Sequence, residues 1–353
     1  MLFFCGDVNL TDWDFNFGFG IGSRIGQGFN PFEKIIRTED DIWVGNFEGV
    51  ASSTTIRRRM SAEVFRVMPD KILSLRHLNY YGFANNHAMQ HGEEAYRQTV
   101  DTLTEIGCGV FGSKEKRSTF FIHQNRKISL TGACFRIDEF TEQPLYWYNP
   151  EYIAIQDEIN SLPNDAFKVF FVHWGNEYID RPSVQQRKFA HWLIDAGFDL
   201  IIGMHPHVLQ GFEDYKGKRI YYSLGNFVFD MVWEPCRYGA VIGVDLSGEK
   251  PSFQEEYIYI DETCAPQIKE KGKVPIEYRF DYLNEQLEKE DNSEEYHLEL
   301  NRRYKAYSKA NRRNVLKNVA LHPQFGANVL RDFIRRRFRS CFEMNEKSCY
   351  KSS

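Results

Sequence analysis

The chain alternates short, continuous apolar runs with stretches of helical period. Residues 2–5 are Leu-Phe-Phe-Cys and stop at Gly6-Asp7. Residues 41–48 run Asp-Ile-Trp-Val-Gly-Asn-Phe-Glu, and residues 167–173 run Phe-Lys-Val-Phe-Phe-Val-His. Each run has strand length and ends in polar residues. Further strands are predicted at 79–84, 108–111, 199–203, 219–223 and 239–244, with a hairpin over 120–134 that turns at Asn125-Arg126. Over 93–106, Tyr96, Val100, Leu103 and Ile106 form one helical stripe, and Gly107 ends it. Residues 184–196 read as a second helix stopped by Gly197, and 69–77 as a third. Asn30-Pro31 reads as the cap and first residue of a short helix. Continuous apolar strands alternating with helices imply a sheet covered on both faces, hence an α/β fold. The glycine-rich stretch 18–28 stands about ten residues beyond the first strand. A dinucleotide-binding turn would follow the strand directly, so this stretch reads as a flexible active-site loop.

At 353 residues and 42% hydrophobic content, the chain exceeds the ~250–300 residues at which single cores stop growing, so an appendage is expected. Charge locates it. Residues 1–280 hold 29 Lys and Arg against 38 Asp and Glu, residues 281–300 one against eight, and residues 301–340 twelve against one. The break near 280 suggests a division into 1–245, a terminal strand and linker over 246–280, and a helical, charged extension over 281–353. Seven cysteines without a CxxC pair argue against a disulfide framework or a zinc–thiolate knot. No run of ~18 apolar residues is present for a membrane span. The first residues lack the basic flank and apolar length of a signal peptide. The chain therefore reads as cytoplasmic or peripheral at a membrane, or as a mature product whose leader was removed.

The chemistry-bearing residues share one address. Asp7, Glu48, Asn86-His87, His173 and His205-Pro206-His207 each follow a predicted strand. The carboxyl ends of strands form the ligand crevice of an α/β sheet. A lone Asp after a strand is usually a turn residue, and a lone His-x-His is usually incidental. Five segments delivering carboxylate, amide or imidazole to one edge instead form the pattern of a metal site, with donors suited to Zn, Mn or Fe. In extended backbone, His205 and His207 would point to one face. Glu177 reads either as an acceptor supporting the ligands or as a solvated residue. Trp174, Asn226 and Phe227 read as crevice wall or as core, and His91 as shaping its loop.

Six segments then stand in a known order and spacing: Gly6-Asp7-Val8, Gly45-Asn46-Phe47-Glu48-Gly49, Ala84-Asn85-Asn86-His87, His173-Trp174-Gly175-Asn176-Glu177-Tyr178, Gly203 to Gly211, and Tyr222 to Asp230. Over about residues 1–245 the chain resembles the capsule-synthesis CapA family, which includes the PgsA subunit of poly-γ-glutamate synthesis. That family is similar to the calcineurin-like metallophosphatases. The resemblance implies a four-layer α/β/β/α sandwich holding two divalent ions (Mn, Zn or Fe). It implies that Asp7 and His207 serve the first metal, that Glu48 bridges, and that Asn86, His173 and His205 serve the second. His87 would protonate the leaving group. Asn9 stands where the phosphatases carry a histidine ligand, which weakens the first site, and Glu48 is one methylene longer than the usual Asp.

Two functions follow as expectations. One is a metal-dependent, phosphoesterase-type hydrolase in capsule, poly-γ-glutamate or other surface-polymer biosynthesis, with Asp7 and His87 in the catalytic centre. The other is a non-catalytic polymer-binding or assembly subunit that keeps the fold. The tail interleaves Phe325, Val329, Phe333 and Phe338 with Arg331, Arg335, Arg336, Arg337 and Arg339. A basic amphipathic helix suits an anionic membrane surface or a synthase complex, or docking on the acidic body; nucleic acid is disfavoured. Truncation near 280 is expected to leave a folded core.

Overall fold

A computed structural model describes residues 1–331 except 74, 76–77, 289–292 and 330. The strands are β1 (Leu2–Val8), β2 (Ile42–Phe47), β3 (Val50–Ala51), β4 (Arg66–Val67), β5 (Tyr80–Gly82), β6 (Gly109–Phe111), β7 (Ser118–His123) and β8 (Arg126–Cys134). They continue as β9 (Phe167–His173), β10 (Leu200–Met204), β11 (Phe212–Tyr215), β12 (Lys218–Tyr221), β13 (Asn226–Val228), β14 (Tyr238–Asp245), β15 (Ser252–Ile260) and β16 (Pro266–Lys269). The helices are α1 (Ile21–Ile25), α2 (Pro69–Ile72), α3 (Glu93–Glu105), α4 (Tyr152–Ser161), α5 (Val184–Ala196), α6 (Phe280–Glu288) and α7 (Ser293–Leu321).

Two sheets carry the fold. The first has the order β16-β15-β14-β1-β2-β5-β6, with β13 also paired to β1; the second has the order β11-β12-β10-β9-β8-β7. Their inner strands are parallel. Side-chain alternation decides the layers. Leu2 and Phe4 of β1 meet Val169 and Phe171 of β9 in the core between the sheets. Cys5 and Tyr81 face outward with Tyr96 and Leu103 of α3. Phe170 and Val172 face outward with Ile155 of α4 and Leu193 of α5. The result is a four-layer α/β/β/α sandwich. The long apolar runs are thus strands buried on both faces, by a helix layer on one side and the other sheet on the second.

Three local expectations change. The glycine-rich stretch contains α1, whose Ile21 and Ile25 are buried in the core; it is packed structure. Asn30 opens only a turn, in which its Oδ1 accepts the Phe32 amide at 2.9 Å. Helix α2 ends at Ile72, well short of 77. Helix α4 and strand β16 escape the sequence pattern, while β15 is the terminal strand expected within 246–280.

The helices after 280 lie outside the sheets yet pack on them. Phe280, Leu283 and Leu287 of α6 are buried, and Phe280 sits 5.1 Å from the Phe212 ring. On α7, Tyr307 stacks on Tyr178 at 3.8 Å, Arg303 pairs with Asp180, and Asn318 Nδ2 donates to the Phe15 carbonyl at 2.9 Å. Phe325 packs edge-on against Phe19, so this apolar position of the tail is covered by protein. Phe333, Arg335, Arg336, Arg337, Phe338 and Arg339 lie outside the described residues. No described helix is long and apolar enough to cross a membrane.

Because α6 closes one margin of the inter-sheet core, the clean truncation expected near 280 would uncover apolar surface. Leu283→Ala should destabilise the protein by about 2–5 kcal/mol, the usual range for a buried leucine, read as a lower urea midpoint. Deletion from 280 onward should cost more than this single substitution; equal stability would show that α6 adds nothing to the core.

Candidate metal centre

Strand order brings the site together. β1, β2 and β5 are neighbours in the first sheet, and β9 and β10 in the second. Their carboxyl ends meet at one edge of the sandwich. Asp7 is in register with Asn46 across β1 and β2, and His173 with Met204 across β9 and β10. Gly6 permits the approach: a Cβ there would lie 1.8 Å from the Gly225 carbonyl oxygen. The Asp7 amide donates to that same oxygen at 3.1 Å.

The predicted ligands converge, and Asp7, Glu48, His173, His205 and His207 are all buried. His173 Nε2 lies 2.8 Å from Asn86 Oδ1 and 3.0 Å from His205 Nδ1. His207 spans the two carboxylates, with Nδ1 3.6 Å from Asp7 Oδ2 and Nε2 3.6 Å from Glu48 Oε1. Two groups of residues place ligand-capable atoms within 4.8 Å of one another: Asp7, Glu48 and His173, and Glu177, His205 and His207. Glu177 therefore faces the site.

His205 and His207 reach the site differently from expectation. Strand β10 ends at Met204, and the two histidines have φ of 98° and 57°. They sit on a left-handed turn, a backbone state that costs non-glycine residues free energy and concentrates at functional sites.

Two amides organise the ligands: Asn46, missed as a site residue, and Asn226, read from the sequence as crevice wall or core. Asn46 Nδ2 donates to Asp7 Oδ1 at 2.8 Å, while Asn46 Oδ1 accepts from Asn85 Nδ2 at 3.2 Å. The detectable signal was an amide inside an otherwise apolar strand. Asn226 Nδ2 donates to the Cys236 carbonyl at 3.0 Å, which leaves its Oδ1 to accept from His207 Nδ1 at 2.9 Å. That bond puts the His207 proton on Nδ1 and leaves the Nε2 lone pair facing Glu48. Trp174 and Phe227 are core residues. His91 ties its loop down, with Nε2 2.8 Å from the Val64 carbonyl oxygen and Nδ1 2.7 Å from Thr55 Oγ1.

Asn9 behaves unlike the others. Its Oδ1 accepts from the Thr11 amide at 2.8 Å and the Thr11 hydroxyl at 2.6 Å. A carbonyl oxygen has two lone pairs, so both are engaged, and the buried Nδ2 has no partner among the described residues. His87 lies at the rim. Its Nδ1 is 2.7 Å from Gln90 Oε1, its ring stacks on Phe65 at 3.8 Å, and its Nε2 is 3.7 Å from Glu48 Oε1.

The electrostatics are those of ligands awaiting a cation. Burial, then the charge of Asp7, pushes the Glu48 carboxyl well above its ordinary range. Burial also raises Asp7, opposed by His207 and by the Asn46 bond. Burial holds His173 and His205 well below the usual imidazole value, and His87 at about 4. Among the described residues, Glu48 has only the neighbouring Asp7 carboxyl to share a proton with, and His205 Nε2 is buried without a hydrogen-bond partner. Carboxylates are not left so unless something compensates them. A divalent cation fits this set: the imidazoles are already neutral, as a metal requires, and the carboxyls would release their protons on binding it.

Residues 1–231 match the family model described as bacterial capsule synthesis protein PGA_cap. The chain is similar to the PGA biosynthesis protein CapA of Bacillus subtilis, at 31% identity over 233 residues, 62% of this chain and 60% of that protein. It is also similar to the capsule biosynthesis protein CapA of Bacillus anthracis, at 34% identity over 176 residues, 46% of this chain and 43% of that protein. The chain thus spans less than two thirds of either relative. Its fold is similar to the crystal structure of a Mycoplasma pneumoniae phosphatase, with 13% identity, a TM-score of 0.43, and coverage of 73% of this chain and 92% of that one; so remote a likeness says nothing of activity.

Glu48→Gln should act oppositely with and without metal. In chelator, the folded wild type retains the Glu48 proton at pH values where the unfolded chain has released it. Wild-type stability from this group is therefore fullest below about 4.5 and falls as pH rises. The variant, which has no such proton, should gain on wild type by up to about 1.4 kcal/mol per pH unit above that point. With Mn or Zn added, the order should reverse, because wild type alone keeps the full ligand set and its binding linkage. Thermal melts of both proteins at pH 5 to 8 decide it; a variant that melts lower in chelator at every pH contradicts the argument.

Proposed function

The chain belongs to the bacterial capsule synthesis family PGA_cap, and from that premise we propose that it is a metal-dependent hydrolase of the phosphoesterase type, acting in capsule or poly-γ-glutamate biosynthesis. The observation that carries this reading is Glu48, a fully buried carboxyl set between Asp7, His207 and His87 with no cationic side chain against it among the described residues. We assign two ions, Mn, Zn or Fe, to these donors, divided as the family resemblance implies, which places His207 with Asp7 and His173 with His205. Asp7, Glu48 and His207 would hold the first, and Glu48, Asn86, His173 and His205 the second, with Glu177 beside the histidines. When bound, such ions supply Lewis acidity to an oxyanion and its attacking water. We assign the hydrolase unit to residues 1–245, with closing strands and linker over 246–280 and a helical extension over 281–353.

The residues themselves do the rest. Asn46 fixes the Asp7 carboxylate, and Asn226 fixes the His207 tautomer. His87 stacks on Phe65 with its Nδ1 proton given to Gln90, which holds Nε2 toward the reaction centre. At pH 7 this imidazole is neutral, so the proton it passes to a leaving group is one it first accepts at Nε2. The second reading, a polymer-binding subunit without turnover, is favoured by Asn9, whose oxygen is engaged by Thr11.

The deciding experiment is metal analysis of protein purified without chelator, joined to a phosphoesterase assay across Mn, Zn and Fe. Turnover that chelator abolishes and metal restores supports the hydrolase. Bound metal without turnover on any phosphoester supports the binding subunit. Absence of bound metal at pH 6 to 8 refutes the metal centre itself.

His87→Ala should retain metal and lose rate chiefly on substrates with poor leaving groups, by about 10²–10⁴-fold. Good leaving groups need little protonation and should lose much less. Equal losses with metal retained would make His87 a substrate-positioning residue, and lost metal would make it a ligand.

A further inference from the structure

The turn that follows His173 brings a carboxylate to the centre that the ligand set has not used. Gly175 has φ of 84° and Tyr178 has φ of 69°, so the chain folds sharply between β9 and α5. The turn is stitched to its neighbour, because the Tyr178 amide donates to the Pro206 carbonyl at 2.8 Å. Pro206 stands between His205 and His207. The Tyr178 ring stacks on His207 at 6.4 Å and on Tyr307 of α7 at 3.8 Å. A left-handed backbone is unfavourable for tyrosine, and these contacts hold it there. Glu177 is thereby delivered to the histidines. One of its oxygens lies within 4.8 Å of ligand-capable nitrogens of both His205 and His207.

A carboxylate at a rim is ordinarily solvated or paired. Glu177 is half-buried, and no ion pair holds it among the described residues. Arg136 acts on it only as a nearby charge, since Arg136 Nη1 is committed to the Gly175 carbonyl at 2.9 Å. The one side-chain donor on Glu177 is Tyr178. The charge of Glu177 also reaches Glu48, where it adds to burial and to Asp7 in opposing ionisation. Three carboxyls set around neutral imidazoles destabilise one another. The fold gains nothing from the third unless a cation compensates it.

The coordination shells have room for it. The second ion would have Glu48, Asn86, His173 and His205. The first would have only Asp7, Glu48 and His207, because Thr11 occupies the Asn9 oxygen. Two divalent ions bring four positive charges, of which Asp7 and Glu48 compensate two. Glu177 would compensate a third without displacing any donor. We propose that Glu177 is a direct ligand of the metal centre on the His207 side, filling the place in the first ion's shell that Asn9 cannot. That shell becomes three carboxylates and one imidazole, a harder set than its neighbour. Such a set suits Mn, where the imidazole-rich one suits Zn or Fe. The inference rests on the metal-centre reading and is read by binding, so it does not depend on turnover.

The test has two arms, both on the full chain. In the first, protein stripped with chelator is titrated with Mn, and free Mn is followed by its EPR signal. The wild type should take up two ions. Glu177→Gln should bind one as wild type does and the other at least about tenfold more weakly, since even the outer partners of metal ligands are worth that much. In chelator the variant should melt no lower than wild type, because a repelling charge has been removed. The second arm needs no variant. In crystals of the Mn-loaded wild type, with the ions located by anomalous scattering, a Glu177 oxygen should lie at ligation distance, about 2 Å, from an ion. Water between Glu177 and every bound ion, or a variant that binds both ions as tightly as wild type, overturns the proposal and leaves the metal centre standing. A wild type that binds no Mn, Zn or Fe overturns both.

Discussion

Everything at the active edge answers to two carboxylates held out of water. Asp7 and Glu48 are fully buried, and ionised groups in such a place are costly unless a cation or a dense set of donors compensates them. Asp7 receives donors from Asn46 and the His205 backbone; among the described residues Glu48 has only the Asp7 carboxyl beside it. The histidines follow from this imbalance. Their own burial keeps them neutral, so they bring lone pairs in place of positive charge. The site is thus poised between an uncompensated acid pair and a cation, and the asparagines, the left-handed turn at 205–207 and Gly6 serve to hold that arrangement.

Much of the edge was legible because burial and chemistry point the same way in each strand. Leu2 to Cys5 and Phe167 to Val172 can only be interior, so the polar residue closing each run must lie at a rim. What the rim residues do to one another was less legible. Asn226 seemed equally suited to wall or core, because its value lies in a bond to His207 fixed by the Cys236 carbonyl. The pairing of His205 and His207 on one site was readable, but not its means, since φ at two histidines is set by tertiary contacts. Asn9 shows the reverse limit. Its position promised a weak ligand, while Thr11, two residues on, takes up its oxygen.

The periphery was harder for a simpler reason. Strand β15 is exposed along part of its length, so its apolar alternation is diluted, and α1 hides two buried isoleucines among glycines. The sequence of α7 reads as a solvated, charged helix, and most of its surface is. Its attachment rests on Arg303, Tyr307 and Asn318, which share one helical face but are polar or aromatic and so leave no apolar stripe.

That attachment bears on the order in which the protein can mature. Helix α7 secures the 12–19 loop through Asn318 and Phe15, and the 177–181 loop through Tyr307 and Tyr178; the second carries Glu177. During synthesis both loops leave the ribosome long before residues 303–318 do. The sheets can assemble as they emerge, but the rim around the carboxylates stays unpinned until α7 has followed, well over a hundred residues after Glu177. Completion of the centre therefore waits on a helix that supplies none of its ligands.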